Sequence, residues 1–338
     1  MLVTRQKVLR KFWYPVMPVA MLAGGPKPFT LLGEKLVLWL DAGGQPSALA
    51  DRCCHRTAQL SKGFVEGANL VCGYHGWTYD RSGQCVRIPQ QEDVRIAANS
   101  RVPAFHAAVR YGYLWVALDA PIAPLPEFEE ADDPAFRQID QFYEVWNCAG
   151  LRLMENSFDM SHIPFVHRGT FGILEEPNPP RMQIEPTEWG LQTYVEAPVK
   201  NADSNARAVT GSGEARTVRT MRGNWYMPFT RRLAISYPSG LRHHIITNAT
   251  PIDDRSSMIV QWCWRNDAER DVPAAEIVAF DRKVTAEDRH ILESTDYDAC
   301  IDTTRRVEFH METDKPGLLM RQKLLALFRA HGEKEAYG

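Results

Sequence analysis

Short apolar runs alternating with turn residues fill the first third of the chain. Leu36–Leu40, Leu70–Cys72 and Tyr113–Leu118 are separated by turn signals such as Ala42-Gly43-Gly44 and Arg81-Ser82-Gly83, the texture of a small all-β module. A Pro-rich stretch, Ala120–Glu127, reads as the start of a linker. From about Phe142 the pattern is mixed: helical periodicity near 150–162, 274–297 and 316–330 surrounds strand-like runs near 189–198, 215–237 and 243–264. Asp253-Asp254, between two apolar runs, reads as a hairpin turn, and polar Asn201–Gly213 as a mobile surface loop. The expected fold is α+β, with an all-β domain over 1–120, a linker over 121–141, and an α+β domain over 142–338 whose central antiparallel sheet is flanked by helices.

Composition narrows the class. The 338 residues exceed what one core usually serves, which supports two domains. A net charge of −3 supplies no field for nucleic acid or anionic lipid, and no apolar run is long enough to span a bilayer. The basic opening followed by Phe12–Leu22 has a faint signal-peptide character, but Pro15 and Pro18 interrupt it, so a cytoplasmic protein is expected. Seven cysteines form an odd set without the density of a disulfide scaffold, and their local spacing matters more than their number.

That spacing is informative. Cys53-x-His55 is followed, after sixteen residues, by Cys72-x-x-His75. Two loops that each offer a thiolate and an imidazole can hold a dinuclear iron–sulfur cluster, both cysteines on one iron and both histidines on the other. Gly73 and Gly76 would let backbone N–H groups approach the sulfides. A Cys2His2 zinc site uses the same ligand types and stays open on the residues alone. Cys54 is not needed by the pattern.

The second half carries another constellation, with Asp159, His162 and His167 inside nine residues. Five positions apart on an unbroken helix, the two histidines would point roughly 140° away from each other. Pro164 resolves this by ending the helix near His162, so that His167 returns from a turn and both imidazoles meet one metal. Two histidines and a carboxylate on one face of iron(II) form the site of non-haem oxygenases. The carboxylate is expected on the helix beginning near Ala274, where Asp288 shares a buried stripe with Ile277, Phe280, Val284, Ile291 and Thr295. Asp298 is the second choice. The plainer readings are structural histidines, and an Asp288 paired with Arg282 or Arg289.

Together, Cys53-x-His55-Arg56, Cys72-x-x-His75-Gly76-Trp77-x-Tyr79 and Asn156-x-x-Asp159-x-x-His162-x4-His167 resemble the signatures of the Rieske non-haem iron oxygenases, over nearly the whole chain. The likeness is to the homotrimeric oxygenase components that include the dicamba, vanillate and methylxanthine demethylases. It implies a [2Fe–2S] cluster on Cys53, His55, Cys72 and His75, and an Fe(II) on His162, His167 and Asp288. It also implies a catalytic bridging role for Asp159, between His75 of one subunit and His162 of the next. Electrons would come from NAD(P)H through a separate reductase or ferredoxin, since no Gly-x-Gly-x-x-Gly run or second cysteine cluster is present. The implied reaction is hydroxylation or O-/N-demethylation of a small aromatic or heterocyclic substrate. Ring cis-dihydroxylation uses the same ligands, while a plain Rieske electron carrier or a zinc-binding module are the readings from other classes. Trp225, Tyr226, Phe229, Trp262 and Trp264 are candidates for an aromatic pocket or for simple core.

Overall fold

The computed structural model describes residues 1–91, 95–201 and 209–338, so most of the expected loop at 201–213 lies outside the described residues. Two compact units are present, Lys7–Leu125 and a second formed by Met1–Gln6 with Pro126–Gly338. The first six residues, read from sequence as part of the β domain, thus belong to the other unit. There the Met1 ammonium bonds the Asp298 carboxylate and the Ala299 carbonyl, and the Leu2 N–H bonds the Ala336 carbonyl at 2.7 Å.

Among its described residues the smaller unit contains ten strands: β1 (Tyr14–Pro18), β2 (Lys27–Leu31), β3 (Glu34–Leu40), β4 (Pro46–Ala50), β5 (Phe64–Glu66), β6 (Asn69–Val71), β7 (Thr78–Tyr79), β8 (Cys85–Arg87), β9 (Ala104–Arg110) and β10 (Tyr113–Ala117). They form a six-stranded sheet ordered β1-β10-β9-β4-β3-β2 and a four-stranded sheet ordered β5-β6-β7-β8, antiparallel throughout. Trp39, Leu49, Leu70 and Tyr79 make one buried cluster that takes in Cys53 and Cys72. Both thiols therefore sit on a packed apolar floor.

The larger unit runs β11 (Arg137–Trp146), α1 (Gly150–Phe158), α2 (Ile163–Val166), β12 (Gln183–Thr187), β13 (Gly190–Lys200), β14 (Arg216–Tyr226), β15 (Thr230–Ser236), β16 (Arg242–Pro251), β17 (Ser257–Arg265), α3 (Ala274–Leu292) and α4 (Lys315–Ala330). The seven strands among its described residues form one antiparallel sheet, ordered β11-β17-β16-β15-β14-β13-β12. β11 begins inside the stretch expected to be linker. The run expected as one strand over 215–237 is a hairpin, with Pro228 in the turn, where its missing N–H removes no ladder bond. Asp253 makes the turn between β16 and β17 by accepting from the N–H groups of Arg255 and Ser256.

Helix ends differ from expectation for local reasons. α1 stops at Phe158 because Asp159 leaves helical geometry and accepts the N–H groups of Ser161 and His162. Pro164, expected to end a helix, begins one: it lies in the first turn of α2, where its absent N–H is not needed. α3 stops at Leu292, and the hydroxyls of Ser294 and Thr295 take up the carbonyls of Ile291 and Leu292. Its inward stripe is Ile277, Asp281 and Leu292, buried, with Val284 and Asp288 half-buried between them, while Ile291 and Thr295, expected inside, are exposed.

Candidate metal centres

The two Cys/His loops are built alike. In each, the cysteine carbonyl accepts an N–H four residues on (Thr57 to Cys53, Gly76 to Cys72, both 3.0 Å), and the cysteine N–H donates five residues on (to Ala58 and Trp77, both 2.8 Å). The fourth residue after each cysteine has a left-handed backbone, Thr57 at φ 59° and Gly76 at φ 73°. Gly73 has a packing reason of its own, since a Cβ there would lie 2.7 Å from the Lys62 carbonyl oxygen. These tight loops bring the His55 and His75 rings to 4.7 Å between centroids, with His55 stacked on Trp77.

The donor set fits a metal cluster. No disulfide forms, both cysteines are buried, and the His55 Nδ1 is a buried atom with no partner. Burial, then the neighbouring His75 and Arg56, hold His55 below its ordinary value and so neutral, the form that ligates. Burial raises the Cys72 thiol, with the backbone N–H groups of Tyr74 and His75 opposing the shift by pointing at the sulfur. A residue whose role the spacing did not disclose is Tyr79, whose hydroxyl lies 3.0 Å from Cys53 Sγ and 3.2 Å from Cys54 Sγ. Burial, reinforced by both thiols, raises its pKa far above the ordinary value, so the phenol keeps its proton and can donate it.

In the larger unit, His162 and His167 bracket α2 as its first and last flanking residues. The single helical turn between them aims both imidazoles at α3. His162 Nε2 lies 3.2 Å from His167 Nε2 and 3.5 Å from Asp288 Oδ1, and His167 Nε2 lies 3.2 Å from the same oxygen. Donors on bonds of about 2.1 Å meeting at right angles stand about 3 Å apart, so this triangle suits one face of a six-coordinate ion. Neither Arg282 nor Arg289 pairs with Asp288: the first meets Glu144, the second Glu293 and Glu144. Asp298 is held by the chain's own N-terminus and by the Gly338 N–H instead.

Each member of the triangle is held from behind. Asn156 donates to Asp288 Oδ1 at 3.0 Å. His167 Nδ1 meets Glu287 Oε2 at 2.9 Å, and Thr170 donates to that same oxygen at 2.7 Å. Asp159 Oδ2 lies 3.4 Å from His162 Nδ1, while its backbone-capping bonds fix its rotamer. Burial would raise both Asp288 and Asp159, but the facing histidines outweigh it and hold both carboxyls below their ordinary range. Burial likewise opposes protonation of His167, and Asp288 and Glu287 overcome it. Glu287, adjacent to Asp288, was not singled out by helical phase.

All three donors lie on the wall of a cavity of about 140 Å³. The period-2 alternation of the sheet supplies the opposite wall: Met221; Arg231, Leu233 and Ile235; His243, Ile245 and Thr247; Ile259 and Gln261. Of the five aromatics considered for a pocket, none lines it. Trp262 and Trp264 alternate onto the far face against Phe128, and Trp225 is core, its indole N–H bonded to the Pro228 carbonyl. The aromatic lining comes from Trp146, Phe171, Tyr237 and Phe280.

Comparison with known proteins matches the stretches of chain that carry both candidate sites. Residues 12–104 match the Rieske [2Fe-2S] domain, a span containing all four candidate cluster donors, and residues 146–330 match the vanillate O-demethylase oxygenase C-terminal domain, a span containing the triangle. The methylxanthine N1-demethylase NdmA of Pseudomonas putida is 32% identical over 97% of this chain and 92% of its own. The structure of Pseudomonas putida CBB5 NdmA with caffeine superimposes with a TM-score of 0.86 at 29% identity, covering 97% of this chain and 94% of that one. Dicamba monooxygenase bound to dicamba, 21% identical, shares the fold with a TM-score of 0.81 over 96% of this chain and 98% of its own. The Rieske match decides for a [2Fe–2S] cluster over a lone zinc ion, and the chain belongs to the Rieske non-haem iron oxygenase family as an oxygenase component.

Proposed function

We propose that this chain is the terminal component of a monooxygenase that hydroxylates, or O- or N-demethylates, a small aromatic or heterocyclic substrate. The observation that carries the reading is the convergence of His162, His167 and Asp288 on the wall of a largely apolar cavity. In this reading those three residues hold Fe(II), and Cys53, His55, Cys72 and His75 hold the cluster. Bound iron supplies O2 activation, and the cluster supplies electrons one at a time. Per turnover, one oxygen atom enters a C–H bond of the substrate and the other leaves as water, using two electrons and two protons. When the carbon is an O- or N-methyl, the hydroxylated product loses formaldehyde.

The protein's own residues hold the geometry. Glu287 orients His167, Asn156 orients Asp288, and the apolar wall of Leu233, Ile245 and Ile259 keeps bulk water from the reacting carbon. The electrons come from NAD(P)H through a separate reductase or ferredoxin. The working unit is a homotrimer in which Asp159 bridges His162 to His75 of a neighbouring chain, for which both Asp159 and His75 retain partial exposure. A cytoplasmic location fits the donor and the seven unpaired cysteines. No helix among the described residues is long and apolar enough to cross a membrane.

Metal analysis and product analysis test this together. Iron near three per chain, with formaldehyde released from methoxy- or N-methyl-arenes in the presence of a surrogate reductase, is the expected result. Iron near two per chain would leave an electron carrier, and a ring diol without formaldehyde would assign dihydroxylation.

A further inference from the structure

Among the described residues, one other trio of side chains closes up as the triangle does. His243 on β16, Cys263 on β17 and Asp281 on α3 each place one ligand atom within 4.8 Å of the others. All three are buried, at 2%, 0% and 6% exposure. The fold assembles them from two periodicities. His243 pairs with Arg265, and Ile245 with Cys263, so His243 and Cys263 are diagonal neighbours on one face of the β16–β17 ladder. Asp281 lies one turn of α3 beyond Ile277, which packs with Cys263. It lies two turns before Asp288, about 10 Å along the helix, so the two trios are separate sites.

An ordinary ion pair does not describe this trio. His243 Nε2 lies 3.3 Å from Asp281 Oδ2, close enough for a hydrogen bond, yet it is a buried atom with no partner, because ring and oxygen are out of line. Two donors aimed at a common ion stand in that attitude. Bonds of about 2.0–2.1 Å meeting at the tetrahedral angle hold N and O about 3.3 Å apart. Asp281 is also supported from behind as Asp288 is: Gln141 donates to its Oδ2 at 2.5 Å, where Asn156 donates to Asp288. The Gln141 amide is fixed in turn, since Thr247 donates to Gln261 and Gln261 to Gln141. No lysine or arginine among the described residues pairs with Asp281. Arg231 feels its charge without reaching it, and Arg265, beside His243, is matched by Asp267. A buried carboxylate left in this state calls for a cation.

We propose that His243, Cys263 and Asp281 hold a Zn²⁺ ion, separate from both candidate iron centres, with water in its fourth position. His243 and Asp281 line the cavity while Cys263 lies behind them with Ile139 and Ile277, so the fourth position opens toward the cavity. One imidazole, one thiolate and one carboxylate are a zinc set: the sulfur disfavours magnesium and calcium, and zinc outranks iron(II) for nitrogen and sulfur donors. Burial pushes the Cys263 thiol up, so it carries its proton in the metal-free chain. Binding releases that proton to solvent, and the thiolate and carboxylate together balance the two charges of the ion. The ion ties α3 to β16 and β17 two turns from Asp288, and no step of the oxygenase reaction uses it.

The test is metal analysis of the holoenzyme after incubation with zinc chloride and removal of loosely held ions, followed by X-ray absorption at the zinc edge. About one zinc per chain is expected in addition to the iron, with one sulfur at about 2.3 Å and nitrogen or oxygen at about 2.0–2.2 Å. The single sulfur separates this site from the triangle, which has none, and from the cluster loops, which offer two. Cys263→Ala and Asp281→Asn should each lose the zinc, with iron content and the visible spectrum of the cluster at the parent level. His167→Ala should keep both the zinc and its sulfur. No retained zinc, a zinc shell with no sulfur or with two, or a one-sulfur zinc that persists in Cys263→Ala overturns the proposal. The absorption measurement is made on the parent chain, so it decides even where a variant does not fold.

Discussion

The two candidate metal centres of this chain are built by opposite means. All four candidate cluster donors fall between Cys53 and His75, in loops whose backbone bonds close within six residues. The candidate donors of the other centre are His162 and His167, five residues apart, and Asp288, more than a hundred residues further on, and they meet only because α3 packs beside α2. A locally closed site keeps its shape when distant packing is disturbed, whereas a site assembled across a domain inherits every shift of its supports. The largest effect that tests the contrast is removal of a ligand from each. His167→Ala should abolish turnover and lower iron from near three to near two per chain while leaving the visible spectrum of the cluster unchanged. Cys72→Ser should erase that spectrum and turnover together. A His167→Ala variant that also loses the cluster would break the comparison, since it would show the two centres to be one cooperative structure.

The same contrast explains what the sequence disclosed. The cluster loops were legible because ligand spacing and loop geometry are one local fact. His162 and His167 were legible as a pair, but for a mistaken reason: Pro164 starts the helical turn between them, and Asp159 is what ends the helix before it. Asp288 was reached through helical phase, yet the phase was extended too far. Ile291 and Thr295 are exposed because α3 ends at Leu292, and the stripe holds Asp281, which a polarity-based pattern skips. The aromatic pocket was unreadable because residues on either face of β17 alternate between core and cavity, and only the sheet's packing says which is which. Tyr79 and Glu287 were missed as working groups for a related reason. Neither is a ligand, and the atoms they face are set by tertiary contacts.

Glu287 offers a sharper test of the distributed site. Its carboxylate faces His167 Nδ1 at 2.9 Å and is steadied by Thr170, and Gly169 leaves room for it, since a Cβ there would lie 2.7 Å from Glu287 Oε1. Loss of a carboxylate behind a metal-bound histidine typically lowers metal affinity or activity by roughly tenfold to a hundredfold. Glu287→Gln should therefore weaken iron retention against a chelator by about that factor, with the cluster spectrum untouched. Gly169→Ala, which crowds the same carboxylate without changing its charge, should move in the same direction by less. Retention of iron at the parent level in Glu287→Gln would mean that His167 is positioned by packing alone, and the centre would be more rigid than its assembly suggests.

The smallest effect belongs to the local site. Tyr79 keeps its proton and lies 3.0 Å from Cys53 Sγ, so in the loaded protein it donates to a ligating thiolate and withdraws charge from the cluster. Tyr79→Phe removes the donor and retains the ring that packs among Leu70, Cys72 and Cys85. The reduction potential should fall by about 40 mV, the one-electron equivalent of a hydrogen bond worth about 1 kcal/mol. A redox titration followed in the visible spectrum reads this directly, and iron content should not change. If Tyr79→Phe instead sheds the cluster, the hydroxyl holds the loop through its bond from the Cys54 N–H at 3.3 Å rather than tuning the sulfur. The first loop would then depend on β7 as the triangle depends on α3, and the difference between the two centres would be one of degree.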